Sequence, residues 1–237
     1  MKSVKFRMIA IALLSATMPF TAKAQDKVEA SVGADFVSNY IWRGTDCGGV
    51  SIQPSMGVSY KGLSLTAWGS VGIDKEDARE IDLTLGYNTG GFSVSVTDYW
   101  FSYHKEDGGY TGDYFKYGAH STVHIFEATL GYDFGPLALS WNTYFAGDDY
   151  TKKNGDRAYS TYVGISAPFK LGGLDWSVEV GLTPWEGAYA NKFNVTNLTL
   201  KAEKEIKFTN SFSLPTFAQV TFNPHTQGAY FVFGVSF

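Results

Sequence analysis

The chain has 237 residues, 16% of them aromatic and 18% charged, and its formal net charge at pH 7 is −4. This length suits a single domain, and no linker or block of like charge divides the sequence. An acidic chain lacks the basic patch that nucleic-acid binding needs, so nucleic acid is not expected among its partners.

The N-terminus resembles a secretory signal peptide. A basic start precedes the apolar stretch 8–20, and Ala22-Lys23-Ala24 fits the small-x-small cleavage rule. The stretch is too short for a transmembrane helix, which needs about 20 residues. We therefore expect residues 1–24 to be a cleaved signal peptide and residues 25–237 to form the mature domain. Cleavage would leave 15 basic against 23 acidic residues, a net charge of −8.

Apolar and polar residues alternate with period two along the mature part of the chain. In the segment 63–73 an apolar series that starts at Leu63 and ends at Ile73 alternates with small or polar residues and Trp68. This alternation is typical of β-strands with two different faces. No later segment reaches the ~20 apolar residues of a membrane helix, so a chain of this kind spans a membrane only as a closed barrel.

Twelve strands are predicted, with counts of ten or fourteen left open. They cover residues 28–42, 50–60, 63–73, 80–87, 92–103, 120–133, 137–146, 158–169, 174–184, 195–203, 211–222 and 228–237. Short turns alternate with longer polar segments, and an even count puts both termini at the short-turn end. The region 203–210 departs from this rule as a longer turn. The predicted fold is all-β, an antiparallel transmembrane barrel with short periplasmic turns and longer external loops.

Aromatic residues lie beside the predicted short turns, where a membrane barrel carries an interfacial girdle. They are Tyr60, Tyr87, Phe92, Tyr132, Phe134, Phe169, Trp176 and Phe212. The last strand alternates apolar residues up to Phe237. Outer-membrane barrels commonly end in this way, which implies the outer-membrane lipid and the barrel-assembly machinery of a Gram-negative bacterium as partners. A C-terminal strand of a soluble β-sandwich is the alternative.

A short motif near the N-terminus carries a family resemblance. Ser38-Asn39-Tyr40-Ile41-Trp42-Arg43-Gly44 resembles the N-terminal signature of the TorF-type porin family of Gram-negative bacteria, and Gln53-Pro54 and 62–70 are also similar. The resemblance covers about the first quarter of the mature chain. It departs from the family around 45–50, where Cys47 stands. It implies an outer-membrane barrel and suggests a pore.

Arginine and two acids are expected at the external rim of the barrel. Arg43 closes the first predicted strand, and an arginine there can hold carboxylates by bidentate bonds. Glu80 and Asp82, at the top of the fourth strand, are its candidate partners.

Further charged residues are expected inside the barrel. Glu127 and Glu179 lie at mid-strand, where a charge turned to lipid is costly. Asp98, Asp175 and Lys201 are expected to face inward as well. The acids then either line a wet, mildly cation-selective lumen or pair with basic residues in a packed interior. Twelve strands fall between the eight that side chains can fill and the sixteen that leave a channel, so size does not decide.

Catalytic and metal-binding patterns are weak. His120 and His124, four apart in a predicted strand, would be about 13 Å from each other, too far to chelate one metal alone. No nucleophile elbow, phosphate loop or metal-spaced cysteine cluster occurs. We expect no enzyme activity, cofactor or metal, and Cys47 is interpreted as an incidental, partly exposed thiol.

Three functions follow from the sequence. The first is a narrow passive channel for small hydrophilic solutes with mild cation preference, whose selectivity residues are Glu127, Glu179, Glu80, Asp82 and Arg43. The second is a non-conducting barrel whose external loop 104–120, rich in Tyr and Gly, forms a contact surface. The third is an outer-membrane hydrolase, which substitution of His124 would test.

Overall fold

Antiparallel strands make up the regular structure of the residues that the structure describes. The computed structural model describes residues 27–105, 109–210 and 212–237, so the predicted signal peptide, 1–24, lies outside the described residues. The strands in these ranges are β1 Glu29–Val37, β2 Tyr40–Trp42, β3 Thr45–Gly48, β4 Ser51–Tyr60, β5 Leu63–Gly72, β6 Arg79–Thr89, β7 Phe92–Ser102, β8 Ile125–Asp133, β9 Ala138–Gly147, β10 Thr161–Leu171, β11 Leu174–Thr183, β12 Asn194–Lys207, β13 Ser213–Asn223 and β14 Gly228–Ser236. A helix long and apolar enough to cross a membrane is absent from the same ranges.

Twelve of the strands close into a single barrel. β1 pairs with β4, the strands from β4 to β14 pair in chain order, and β14 returns to β1 with Phe36 opposite Val235. Every pair is antiparallel. The predicted all-β barrel of about twelve strands is therefore confirmed. The remaining two strands, β2 and β3, form a small separate hairpin.

The barrel wall has an apolar outer face and a polar inner face, because successive side chains of a strand point to opposite sides. On the outer face, Leu85 lies opposite Leu65 on one neighbour and opposite Val96 on the other, and all three are exposed. On the inner face, the hydroxyls of Thr84 and Thr97 are 2.9 Å apart. This arrangement is the inverse of a soluble β-sandwich, whose apolar faces meet in a core.

Aromatic side chains ring the outer face at the short-turn end, as the sequence predicts. Seven of the eight predicted girdle residues are at least 40% exposed: Tyr60, Tyr87, Phe92, Tyr132, Phe134, Phe169 and Phe212. The eighth, Trp176, stacks on Phe169 with ring centroids 6.0 Å apart.

Three strand boundaries differ from the prediction by more than three residues. The first strand ends at Val37; Ser38 still exchanges two hydrogen bonds of 2.9 Å with the backbone of Phe233, and the chain turns inward after it. The strand predicted over 120–133 is β8, which begins only at Ile125, so His120 lies in a loop and its spacing from His124 is not that of a strand. β12 continues to Lys207, which makes the turn after it shorter than predicted.

Two acids predicted to face the lumen do not lie inside it. Asp98 is in register with Leu83 and Phe126 on the outer face of the wall. Asp175 lies at the exposed short-turn rim, where Lys170 donates to it at 2.5 Å. The period-two pattern predicts the face of Asp98 only if it is known which alternate positions of β7 point outward. The adjacent apolar residues Trp100 and Phe101 at the end of the strand make that assignment ambiguous from the sequence.

Candidate functional site

A hairpin inside the barrel is the main feature of the lumen. Strands β2 and β3 and the turn Arg43-Gly44 make up this element, residues 40–48, which we call the lumen hairpin. Tyr40, Ile41 and Arg43 are all less than a tenth exposed. The segment predicted as the top of a wall strand therefore fills space that the twelve strands enclose.

The turn of the lumen hairpin needs unusual backbone geometry. Arg43 and Gly44 have φ of 51° and 79°, the positive values that a two-residue hairpin turn of type I′ demands at both positions. A Cβ on Gly44 would lie 2.0 Å from the carbonyl oxygen of Thr196, so only glycine allows this approach to β12. Asn223 donates to the Gly44 carbonyl at 3.0 Å and fixes the tip of the turn.

An ion pair joins the hairpin to the far wall of the barrel. Arg43 Nη1 and Nη2 donate to the two carboxylate oxygens of Glu127 at 2.5 and 2.9 Å. Glu127 belongs to β8, the fifth strand from β1 around the ring, so the pair spans the lumen. Both side chains are at most 4% exposed. Buried bidentate pairs of this kind are strong and geometrically specific.

Tyrosine hydroxyls complete the surroundings of this ion pair. Arg43 Nη1 also donates to the Tyr189 hydroxyl at 2.6 Å, and Tyr189 donates to the Tyr144 hydroxyl at 3.1 Å. The Tyr99 hydroxyl donates to Glu127 at 2.9 Å. Burial raises the pKa of Tyr189 to about 12, so this phenol stays neutral and can accept from the guanidinium while donating onward.

Aromatic rings enclose the guanidinium of Arg43. Its central carbon is 4.2 Å from the ring centre of Trp42, 4.8 Å from that of Tyr162 and 5.8 Å from that of Tyr189. Contacts of a cation with ring faces at these distances are attractive, and more so where water is excluded. On the other side of the lumen hairpin, Tyr40 packs on Trp68 with centroids 5.5 Å apart.

A second polar cluster supports this enclosure. The Tyr162 hydroxyl donates to Glu179 at 2.5 Å, and Asn197 donates to both of them at 3.0 and 3.1 Å. A Cβ on Gly181 would lie 2.0 Å from the Tyr162 hydroxyl, so this glycine leaves the room that the tyrosine occupies. The position of the Tyr162 ring beside Arg43 therefore depends on β10, β11 and β12 together.

The remaining predicted site residues lie elsewhere in the lumen. Glu80 and Asp82 face inward beside Tyr40, and Arg43 pairs with Glu127 instead of with them. Their predicted pairing with Arg43 is wrong, because the hairpin carries the arginine past β6 to the opposite wall. Lys201 is inside the barrel and pairs with Glu203 at 2.5 Å.

Some residues of the site were not found by sequence reasoning. Tyr162 and Asn197 occupy inward positions on predicted strands and could have been found from the alternation. Tyr189 belongs to a loop, where no period places a side chain.

Cys47 is free and partly exposed in the hairpin, and burial raises the pKa of its thiol, which disfavours the reactive thiolate.

The long loop after β7 lies against the outer wall. His124 is fully buried, with Nδ1 2.7 Å from Asp98 and Nε2 2.6 Å from the Tyr114 carbonyl oxygen. Both ring nitrogens thus face acceptors, so neither is free to take a proton from a nucleophile. The contacts anchor the loop to β7, and Phe115 beside them is 88% exposed.

Comparisons with protein-family models and with curated proteins found no match to this chain. The interpretation of the site therefore depends on its geometry.

Proposed function

We propose that the protein is an outer-membrane channel for small hydrophilic solutes, narrowed by the lumen hairpin and mildly selective for cations. The observation that carries the proposal is a closed barrel with an apolar exterior, a polar interior and a constriction built from charged side chains. The resemblance of residues 38–44 to the TorF-type porin family supports it, since residues 40–44 form the first strand and the turn of the lumen hairpin.

The outer face supports the membrane part of the proposal. Large apolar side chains are exposed on every side of the barrel, including Val32 on β1, Leu83 on β6 and Phe231 on β14. In water this surface would be a liability, because soluble proteins rarely expose large contiguous apolar patches. The C-terminal strand, which ends at Phe237, is proposed as the segment that the barrel-assembly machinery binds.

The charges of the constriction support cation preference. The constriction carries one basic residue, Arg43, and four acids, so its formal charge is −3. Those acids are Glu80, Asp82, Glu127 and Glu179. Arg43 is paired with Glu127 and Lys201 with Glu203, so the carboxyl groups of Glu80, Asp82 and Glu179 leave an excess of acidic groups along the path of a passing cation. A narrow site with low-dielectric walls strengthens the field of these groups.

Ion conductance in a planar bilayer under a salt gradient tests the proposed channel. Folding is first checked on a detergent gel, where a folded barrel migrates faster unheated than boiled. We expect small discrete steps with a reversal potential of cation sign, weakened in Glu80→Gln and Glu179→Gln. A silent bilayer with folded protein, or anion preference, would contradict the proposal.

An arginine introduced on the outer face tests the membrane assignment separately. Met56→Arg places a charge near the middle of the apolar band, between Val32 and Ala67, and is expected to destabilise the folded barrel in lipid by about 2–4 kcal/mol. Leu63→Arg is the matched control, because Leu63 lies in register with Tyr60 and Tyr87 at the aromatic ring, where the cost is about 0–1 kcal/mol. Urea unfolding in vesicles measures both, and equal effects would contradict a bilayer centred on Met56.

A non-conducting barrel is the second candidate, and the close packing of side chains around the lumen hairpin favours it. Tyr99, Tyr144 and Tyr162 are each less than a tenth exposed around the hairpin. In a non-conducting barrel the loop after β7, with exposed Phe115, would be the functional surface. Conductance that stays absent even when the hairpin is removed would select this alternative.

A further inference from the structure

The backbone of Arg43 indicates that its side chain is selected for its contacts. The first position of a type I′ turn favours Asn, Asp or Gly, because other residues meet a steric penalty at positive φ. Arg43 accepts that penalty at φ 51°. A long basic side chain at this position is therefore explained by what the guanidinium binds, since the turn itself would be more stable with another residue.

The groups that bind this guanidinium lie on wall strands and, for Tyr189, on the loop between β11 and β12, and each has a hydrogen bond that does not involve the hairpin. The Glu127 carboxylate accepts from Tyr99 at 2.9 Å and from Thr129 at 3.3 Å. The Tyr162 ring is positioned by Glu179 and Asn197 through its hydroxyl. We call the set Glu127, Tyr99, Tyr162 and Tyr189 the guanidinium cage. Arg43 is the part of the arrangement that the segment between β1 and β4 supplies.

We propose that the guanidinium cage is a solute-binding site of the channel, and that Arg43 occupies it as an internal ligand in place of a cationic solute carrying a guanidinium group. The inference rests on the proposed channel function and names its substrate class. A carboxylate with a flanking phenol and a ring face offers a planar guanidinium two parallel hydrogen bonds and a stacking surface. An ammonium ion is a point charge that cannot use the bidentate geometry.

Replacement of Arg43 by a solute guanidinium at Glu127 also explains how such solutes would pass the constriction. Withdrawal of Arg43 alone leaves Glu127 as a buried carboxylate without its cation, which is strongly unfavourable. A solute guanidinium that enters as Arg43 leaves keeps the carboxylate paired at every stage. The free energy needed to displace the lumen hairpin is thereby lowered for guanidinium solutes and not for neutral or anionic ones.

Calorimetric titration of the detergent-folded Arg43→Asn protein tests the inference with methylguanidinium and methylammonium as probes. Asn suits the positive φ of the turn and removes the internal ligand. The two probes carry the same charge and differ in the planar fork. We expect methylguanidinium to bind at least ten-fold more tightly than methylammonium, at concentrations far below those that unfold proteins. In wild-type protein the cage is filled, and we expect binding to be at least ten-fold weaker than in the variant.

Two further variants keep the test decisive. Arg43→Gly also tolerates the turn and leaves no side-chain amide that could fill the cage, so it should reproduce the result. Arg43→Asn combined with Glu127→Gln should lose the preference for methylguanidinium. Equal binding of the two probes by folded Arg43→Asn and Arg43→Gly proteins would overturn the inference. Selective binding in a barrel that never conducts would retain the cage and contradict the channel.

Discussion

Replacing residues 38–50 with an Asn-Gly turn is expected to raise the single-channel conductance several-fold. Val37 and Ser51 are directly paired across β1 and β4, so a two-residue type I′ turn can join them and keep the β1–β4 pairing. The replacement removes the lumen hairpin and with it Tyr40, Trp42 and Arg43 from the constriction. Conductance in a planar bilayer measures the effect, because it depends on the narrowest cross-section of the water-filled path.

A second loop offers a matched control for this replacement. Thr151 and Arg157 are also paired, at the base of the exposed segment 152–156 in the loop between β9 and β10. An Asn-Gly turn in place of 152–156 shortens an external loop and leaves the lumen unchanged, so conductance should stay at the wild-type value. If both replacements leave conductance unchanged in folded protein, the hairpin is not the constriction of a channel.

The wall of the barrel could be predicted from the sequence because it depends on a local pattern. Period-two alternation, as in 63–73, places each strand and its two faces, and the spacing of short turns gives the count of twelve. Inward Glu127 and outward Leu85 follow from the same alternation. The strand count and the assignment of faces remain correct even where a predicted strand end is wrong by a few residues.

The lumen hairpin could not be predicted because nothing local distinguishes it from a wall strand. Tyr40, Ile41 and Trp42 are an apolar, extended run that would also suit a wall strand, and the chain leaves the wall after Ser38, whose hydrogen bond to β14 joins residues almost two hundred positions apart. The partner of Arg43 is equally non-local. Glu80 and Glu127 both face the lumen, and only the depth and direction of the hairpin decide between them.

Removal of the Glu127 carboxylate is expected to be the most destabilising single change in the lumen. Glu127→Ala leaves Arg43 buried without a counter-charge, and breaking a buried ion pair in this way costs about 3–5 kcal/mol. Movement of the lumen hairpin out of the barrel until Arg43 reaches water would relieve this cost. Urea unfolding in vesicles should therefore show a large loss of stability, and conductance should rise in the same variant.

A double-mutant cycle separates the ion pair from the other contacts of the two residues. Arg43→Ala combined with Glu127→Ala should be more stable than the sum of the single effects implies, because neither charge is then left unpaired in the lumen. Asp175→Ala is the control, since its pair with Lys170 is solvent-exposed and surface pairs contribute little. Strictly additive losses for Arg43 and Glu127 would mean that the hairpin is held mainly by its other contacts: the docking of Gly44 against Thr196, the bond from Asn223, and the packing of Ile41 on Val232. Positive coupling together with raised conductance in Glu127→Ala would instead identify the ion pair as the contact that holds the constriction closed.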